Sequence, residues 1–183
     1  MKIQQSKLLS ELRNETAKAL SQLEEFKNYS IKELNYKPSI SEWSILECIE
    51  HLCLYGKFYL PEIEKCLTNA KTENKILFKS SFIGDYFVNM IKASNTKKIK
   101  ATKQMDSTGS DLNVSTINQF MKQLEWFDSL LIKAEKVNLT KVKTSISLTK
   151  LIKLRLGDTL RFLVYHNERH VLQAKRIEIK ASS

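Results

Sequence analysis

Only three histidines occur among the 183 residues: His51, His166 and His170. Two of them, His166 and His170, fall four positions apart in the stretch YHNERHVLQ, from Tyr165 to Gln173. In a helix that spacing sets the two rings about 40° apart, on one face. Phe162, Leu163, Gln173 and Ile177 share that face, so both imidazoles belong to a stripe expected to turn inward. Arg169 falls near the edge of the stripe and Glu168 on the far side. His51 repeats the pattern on another segment, where Ser44, Glu47, Cys48, Leu54, Tyr55 and Phe58 fall on its face. Every histidine of the chain is therefore predicted to face the core.

Inward imidazoles suit a metal ion. Neutral imidazole is a common ligand for zinc and also suits nickel, copper and iron. An i, i+4 pair offers two nitrogens to one ion, and a third from a neighbouring helix completes the set. Catalytic zinc commonly has three protein ligands and one open position, and an ion so held activates water near neutral pH. A histidine on an apolar face is also a common hydrogen-bonded core residue, and a lone HxxxH arises often by chance. Spacing alone leaves both readings open.

Several side chains share these faces. Glu47, one turn before His51, is a candidate fourth ligand, acceptor for an imidazole N–H, or general base. It is equally a first-turn carboxylate favoured by the helix dipole. Gln173 can orient a ligand or substrate, or bond a neighbouring helix as a buried amide. Tyr55 can bring a hydroxyl to a pocket, or pack in the core with its hydroxyl at the rim. Cys48 reads as a buried, inert thiol and Trp43 as a packing anchor. Arg169 and Arg176 can meet an anionic substrate or simply be solvated.

The elements that must position these groups are helical. Gly and Pro number 4 and 2, so breakers are few and elements should be long. A first helix is predicted over 3–27, with Leu8, Leu12, Leu23 and Phe26 in its stripe. YKPSIS (36–41) is a loop, and Ser41 is a candidate cap for a second helix from about Trp43 to Asn69. Pro61 should kink or restart that helix. A short helix is expected within 81–93, and a polar, mobile loop over 95–111. The third long helix covers about 113–137. Residues 138–148 read as extended or briefly helical. Gly157-Asp158 should break and recap the chain before a fourth helix over 158–178. The expectation is one domain over 1–183: an all-α, four-helix bundle with a long connection and short extra helices.

Composition narrows the function classes. The three cysteines lack CxxC spacing, which argues against a disulfide framework and points to a reducing, cytoplasmic setting. The N-terminal stretch has no apolar signal region, and the longest uncharged run, LNVSTINQFM (112–121), is far short of a membrane span. The net charge of +10 comes mainly from lysines in 71–103 and 133–161. Those runs have few interleaved aromatics and no nucleic-acid-binding signature, so a solvated basic surface is the simpler account.

EWSILECIEHL (42–52) and YHNERHVLQAKRI (165–177) resemble the two signature segments of the DinB-like superfamily, which includes YfiT-like metal-dependent hydrolases. The matching positions are Trp43, Ser44, Glu47, His51 and Leu52, then His166, His170, Gln173 and Arg176. The resemblance implies a DinB/YfiT-like bundle with a divalent metal, zinc or nickel foremost, held by His51, His166 and His170. It implies a homodimer in many members. It also implies a hydrolase or thiol S-transferase acting on a small molecule, in some relatives with a low-molecular-weight thiol such as bacillithiol or mycothiol. The rival readings are a non-catalytic, metal- or small-ligand-binding bundle of a stress response and, more weakly, a basic nucleic-acid-associated protein.

Overall fold

The structure, a computed structural model, describes residues 1–95 and 100–181, with Lys150 and residues 178–181 by backbone alone. A short strand β1 (Lys2–Gln4) leads directly into α1 (Gln5–Phe26). One turn of helix α2 (Ile31–Leu34) precedes α3 (Ile45–Thr68). Strand β2 (Leu77–Lys79) and α4 (Phe82–Ile91) follow. A 3₁₀ turn at Lys103–Met105 leads to α5 (Val114–Ala134), then β3 (Lys143–Ile146), β4 (Thr149–Arg155) and α6 (Leu156–Ala181). No helix of the described residues is long and apolar enough to cross a membrane.

The four long helices form the bundle. α1 lies between α5 and α6, and α3 lies between the same two on the opposite side, so α1 and α3 are diagonal. Each helix buries a stripe of its own: Leu8, Leu9 and Leu12 of α1, for example, meet Ile63 of α3, Phe127 of α5 and Leu160 of α6 in one cluster. The fold is the expected all-α bundle, with two small antiparallel sheets added. β1 pairs with β2, and β3 with β4.

Several local expectations meet a difference. The chain starts as strand rather than helix, because residues 2–4 pair with β2. Of the two readings of 138–148 the extended one holds over Lys143–Ile146, and β4, a partner strand that helical periodicity does not reveal, closes a hairpin with it. Ser147 N–H donates to Tyr59 Oη (3.2 Å) and Ser145 N–H to Glu62 Oε1 (2.7 Å), which fasten the hairpin to α3. No break occurs at Gly157-Asp158: β4 passes straight into α6 at Leu156. Gly157 is there for space, since a Cβ would lie 2.4 Å from the ring of buried Phe78. The cap of α3 is Ser44, not Ser41. Ser44 Oγ accepts from Glu47 N–H while the Glu47 carboxylate accepts from Ser44 N–H, a reciprocal pair that Ser41 cannot form because its third neighbour is Ser44. Pro61 sits inside an unbroken α3. Of the loop predicted over 95–111, residues 96–99 lie outside the described residues.

The start of α6 is held by a buried polar network. Asp158, fully buried, accepts from Ser80 Oγ, from Ser81 N–H and Oγ, and from Arg161 Nη1 (3.2 Å). Arg161 also reaches Asp85 Oδ1 at 2.8 Å. Gly84 admits this carboxylate, because a Cβ there would fall 2.1 Å from its carbon. The network clips α4 to α6 and fixes where α6 begins. Asp158→Ala leaves a buried guanidinium with Ser80 Oγ and, as its one remaining carboxylate, Asp85, so urea unfolding should show a loss near the low end of about 3–5 kcal/mol. A loss under about 1 kcal/mol, the scale of an exposed pair, would show that the network does not hold the helix.

Candidate metal centre

Helices α3 and α6 run antiparallel along their shared seam. Trp43 at the start of α3 lies beside His170 (5.8 Å between ring centroids), and Tyr59, farther along α3, lies beside Phe162 (5.8 Å). Between these ends His51 meets both histidines of α6, at 5.1 Å from His166 and 4.6 Å from His170. All three rings are buried, none more than 9% exposed. The i, i+4 pair thus receives its third member from the neighbouring helix.

Hydrogen bonds aim the rings. His51 Nδ1 lies 2.5 Å from the Met105 carbonyl. A carbonyl only accepts, so Nδ1 carries the proton and Nε2 keeps its lone pair. His170 Nδ1 lies 3.0 Å from Gln173 Oε1, which likewise leaves His170 Nε2 unprotonated. The Nε2 atoms of His51 and His166 are 3.3 Å apart. His166 Nδ1 is buried with no hydrogen-bond partner among the described residues.

This donor set fits a divalent metal ion. One nitrogen from each histidine lies within 4.8 Å of the other two. Two nitrogens about 2.1 Å from a shared tetrahedral ion would be about 3.4 Å apart, close to the His51–His166 separation. The widest pair, at up to 4.8 Å, needs to close by about 1.4 Å to share the same ion. Protonation suits the role as well. Burial lowers the pKa of all three rings, and for His166 the charges of His170, His51 and Arg169 lower it further. His170 is brought down to about 3, by burial first and then by His51. Neutral imidazole is the ligating form.

The remaining candidates divide. Gln173 and Tyr55 join the histidines in lining a cavity of about 580 Å³ over the site. The Tyr55 ring is 4.2 Å from that of His166, and burial, then Tyr59, pushes its phenol up to about 12. Trp43 also lines the cavity, with its Nε1 donating to Thr108 Oγ1 at 2.9 Å. Arg169 and Arg176 line it too. Glu47 does not. Its carboxylate accepts from Ser44 N–H, from Lys37 Nζ (2.6 Å) and from Gly109 N–H (2.8 Å). Its work is to cap α3 and tie the 107–109 loop to the helix. Cys48 is fully buried, its thiol pushed up by burial and by Glu47.

Sequence reasoning missed Met105. Its contribution is a main-chain carbonyl, which carries no side-chain signature. The loop reaches His51 because Ser107 Oγ donates to the Glu47 carbonyl, Gly109 N–H to the Glu47 carboxylate and Trp43 to Thr108. The polar stretch after residue 100 therefore supplies the bond that aims His51.

A model of the DinB superfamily matches residues 8–174, almost the whole chain. The chain belongs to that superfamily. No curated protein and no solved structure matches it.

The purified protein should take up about one equivalent of zinc or nickel by elemental analysis, and His170→Ala should lose it. Gln173→Leu should retain the fold but weaken metal affinity about 10–100-fold in a chelator competition, because the ring it aims is freed. Equal uptake by the wild type and His170→Ala would place the ion elsewhere.

Proposed function

We propose that the chain is a metal-dependent enzyme acting on a small molecule, as a hydrolase or a thiol S-transferase, with His51, His166 and His170 holding zinc or nickel. The observation that carries this reading is the cavity itself. Its volume, about 580 Å³, falls in the range of small-molecule sites, and all three imidazoles line it. A purely structural ion would be sealed by side chains on every side; here a ligand can reach the nitrogens.

A divalent ion in this place supplies Lewis acidity, which lowers the pKa of a water or thiol beside it and polarises an electrophile. The chain's own residues do the rest. Met105 and Gln173 hold the protons of His51 and His170 away from the centre. Phe162 stacks on His166 at 5.6 Å and shields that ring from water. Tyr55, with its phenol protonated, offers a hydrogen-bond donor on the cavity wall. Glu47 acts through position, keeping the loop that carries Met105 against α3.

The test is a substrate screen on metal-loaded protein, with ester and amide substrates for hydrolysis and thiol–electrophile pairs for transfer. Turnover should require zinc or nickel, vanish with a chelator and fall at least about 100-fold in His51→Ala. A protein that takes up the ion stoichiometrically yet turns over neither class would instead be the non-catalytic binding bundle.

A further inference from the structure

The cavity is not symmetric about the imidazoles. Toward the start of α6 its walls are apolar. Phe162 stacks on His166 at 9° between ring planes, Tyr55 is 6.2 Å from Phe162, and Tyr59 stacks on Tyr55 at 6.0 Å. Ile146 and Leu148 of the hairpin and Leu154 of β4 close this arm. Leu148, 55% exposed, is the solvent-facing member of this wall.

Beyond His170 polar groups join the lining beside Leu172 and Ile177. Gln173 and Arg176 follow at intervals of one turn, opposite Trp43. The charged residues of the lining are Lys100, Arg169 and Arg176 against Glu42, an excess of cations. Arg169 is engaged, donating to the carbonyls of Lys92 (3.1 Å) and Asn95 (2.7 Å). Arg176 is exposed and makes no hydrogen bond or ion pair among the described residues. Helical side chains lean toward the start of their helix, so Arg176 leans back toward His170. From Phe162 to Arg176 the lined face of α6 is about 21 Å long.

We infer that this site takes an amphipathic anion, with an apolar, ring-bearing body in the Tyr55–Tyr59–Phe162 arm and a carboxylate or like group at Arg176. The inference rests on the reading of the cavity as a substrate site. It adds the ligand's class and polarity: the middle of the molecule, between its apolar and anionic ends, passes the three imidazoles. A small polar anion would leave the aromatic arm filled with water. A neutral apolar molecule would leave Arg176 without its charge-assisted partner.

The probes are 10-phenyldecanoate and its neutral counterpart 10-phenyldecan-1-ol, titrated calorimetrically into the full chain, once metal-loaded and once after chelator treatment. The carboxylate should bind about tenfold more tightly than the alcohol in both preparations. Arg176→Gln, an exposed change that leaves the bundle intact, should abolish that preference and leave alcohol binding unchanged. Leu148→Asp, at the hairpin turn, should weaken both ligands. The inference is overturned if neither probe binds, if the two bind equally, or if the preference survives in Arg176→Gln, which would mean that the carboxylate binds elsewhere or at the metal. It is also overturned if Leu148→Asp leaves both affinities unchanged. Metal uptake, measured on the same samples, reports separately on the metal-enzyme reading: intact uptake without the carboxylate preference removes the ligand class alone.

Discussion

Two antiparallel helices carry every imidazole of the site, so the register of α3 against α6 decides whether three nitrogens meet. A slip of one residue would turn a ring about 100° away from the seam. Two polar devices set that register at opposite ends. The Ser44–Glu47 capping box fixes where α3 begins, at Ile45, six residues before His51. The Asp158–Arg161–Ser80 network fixes the start of α6, and Gly84 and Gly157 are small because that carboxylate and the Phe78 ring press against them. Between these ends the apolar stripes supply cohesion, but apolar contacts are non-directional and do not choose a register alone.

Burying three basic rings side by side is electrostatically unfavourable unless they stay neutral. Burial pushes all three pKa values down, and for His166 and His170 repulsion from neighbouring rings pushes them further. The two hydrogen bonds from Nδ1 then settle which nitrogen keeps the lone pair. One acceptor, Gln173, is a side chain one turn from His170. The other, Met105, is main chain from a loop more than fifty residues from His51. That loop is pinned by Glu47, so a residue that resembles a catalytic acid on the helical wheel is what brings His51 its acceptor. Two of the three rings are thus aimed before any ion binds, a preorganisation that would favour metal affinity.

The cavity depends on elements outside the four-helix frame. The β3–β4 hairpin forms one wall, fastened to α3 through Tyr59 and Glu62. α4 forms another, bringing Phe87, Met90 and Ile91 to the lining. Helices α3 and α6 alone would bury the rings against each other. The added elements stand off from the seam and leave space above it, which separates a candidate active site from a packed core.

By itself the sequence determined the helices, their inward faces and the grouping of the histidines. Leu8, Leu12, Leu23 and Phe26 at helical spacing, and His166 and His170 four apart, are properties of local periodicity, and local periodicity survives in a string of letters. EWSILECIEHL and YHNERHVLQAKRI carried the family for the same reason. What only the tertiary structure decided involves partners distant in the chain. Glu47 shared its face with His51 on the wheel, yet Lys37 and Gly109 claim its oxygens. Gly157 looked like a helix breaker, yet it makes room for Phe78. The strands at 2–4 and 143–155 pair through backbone groups that every residue carries, so no residue type announces them. Met105 aims His51 through a carbonyl that any residue could offer, and only the folded loop brings that carbonyl within reach.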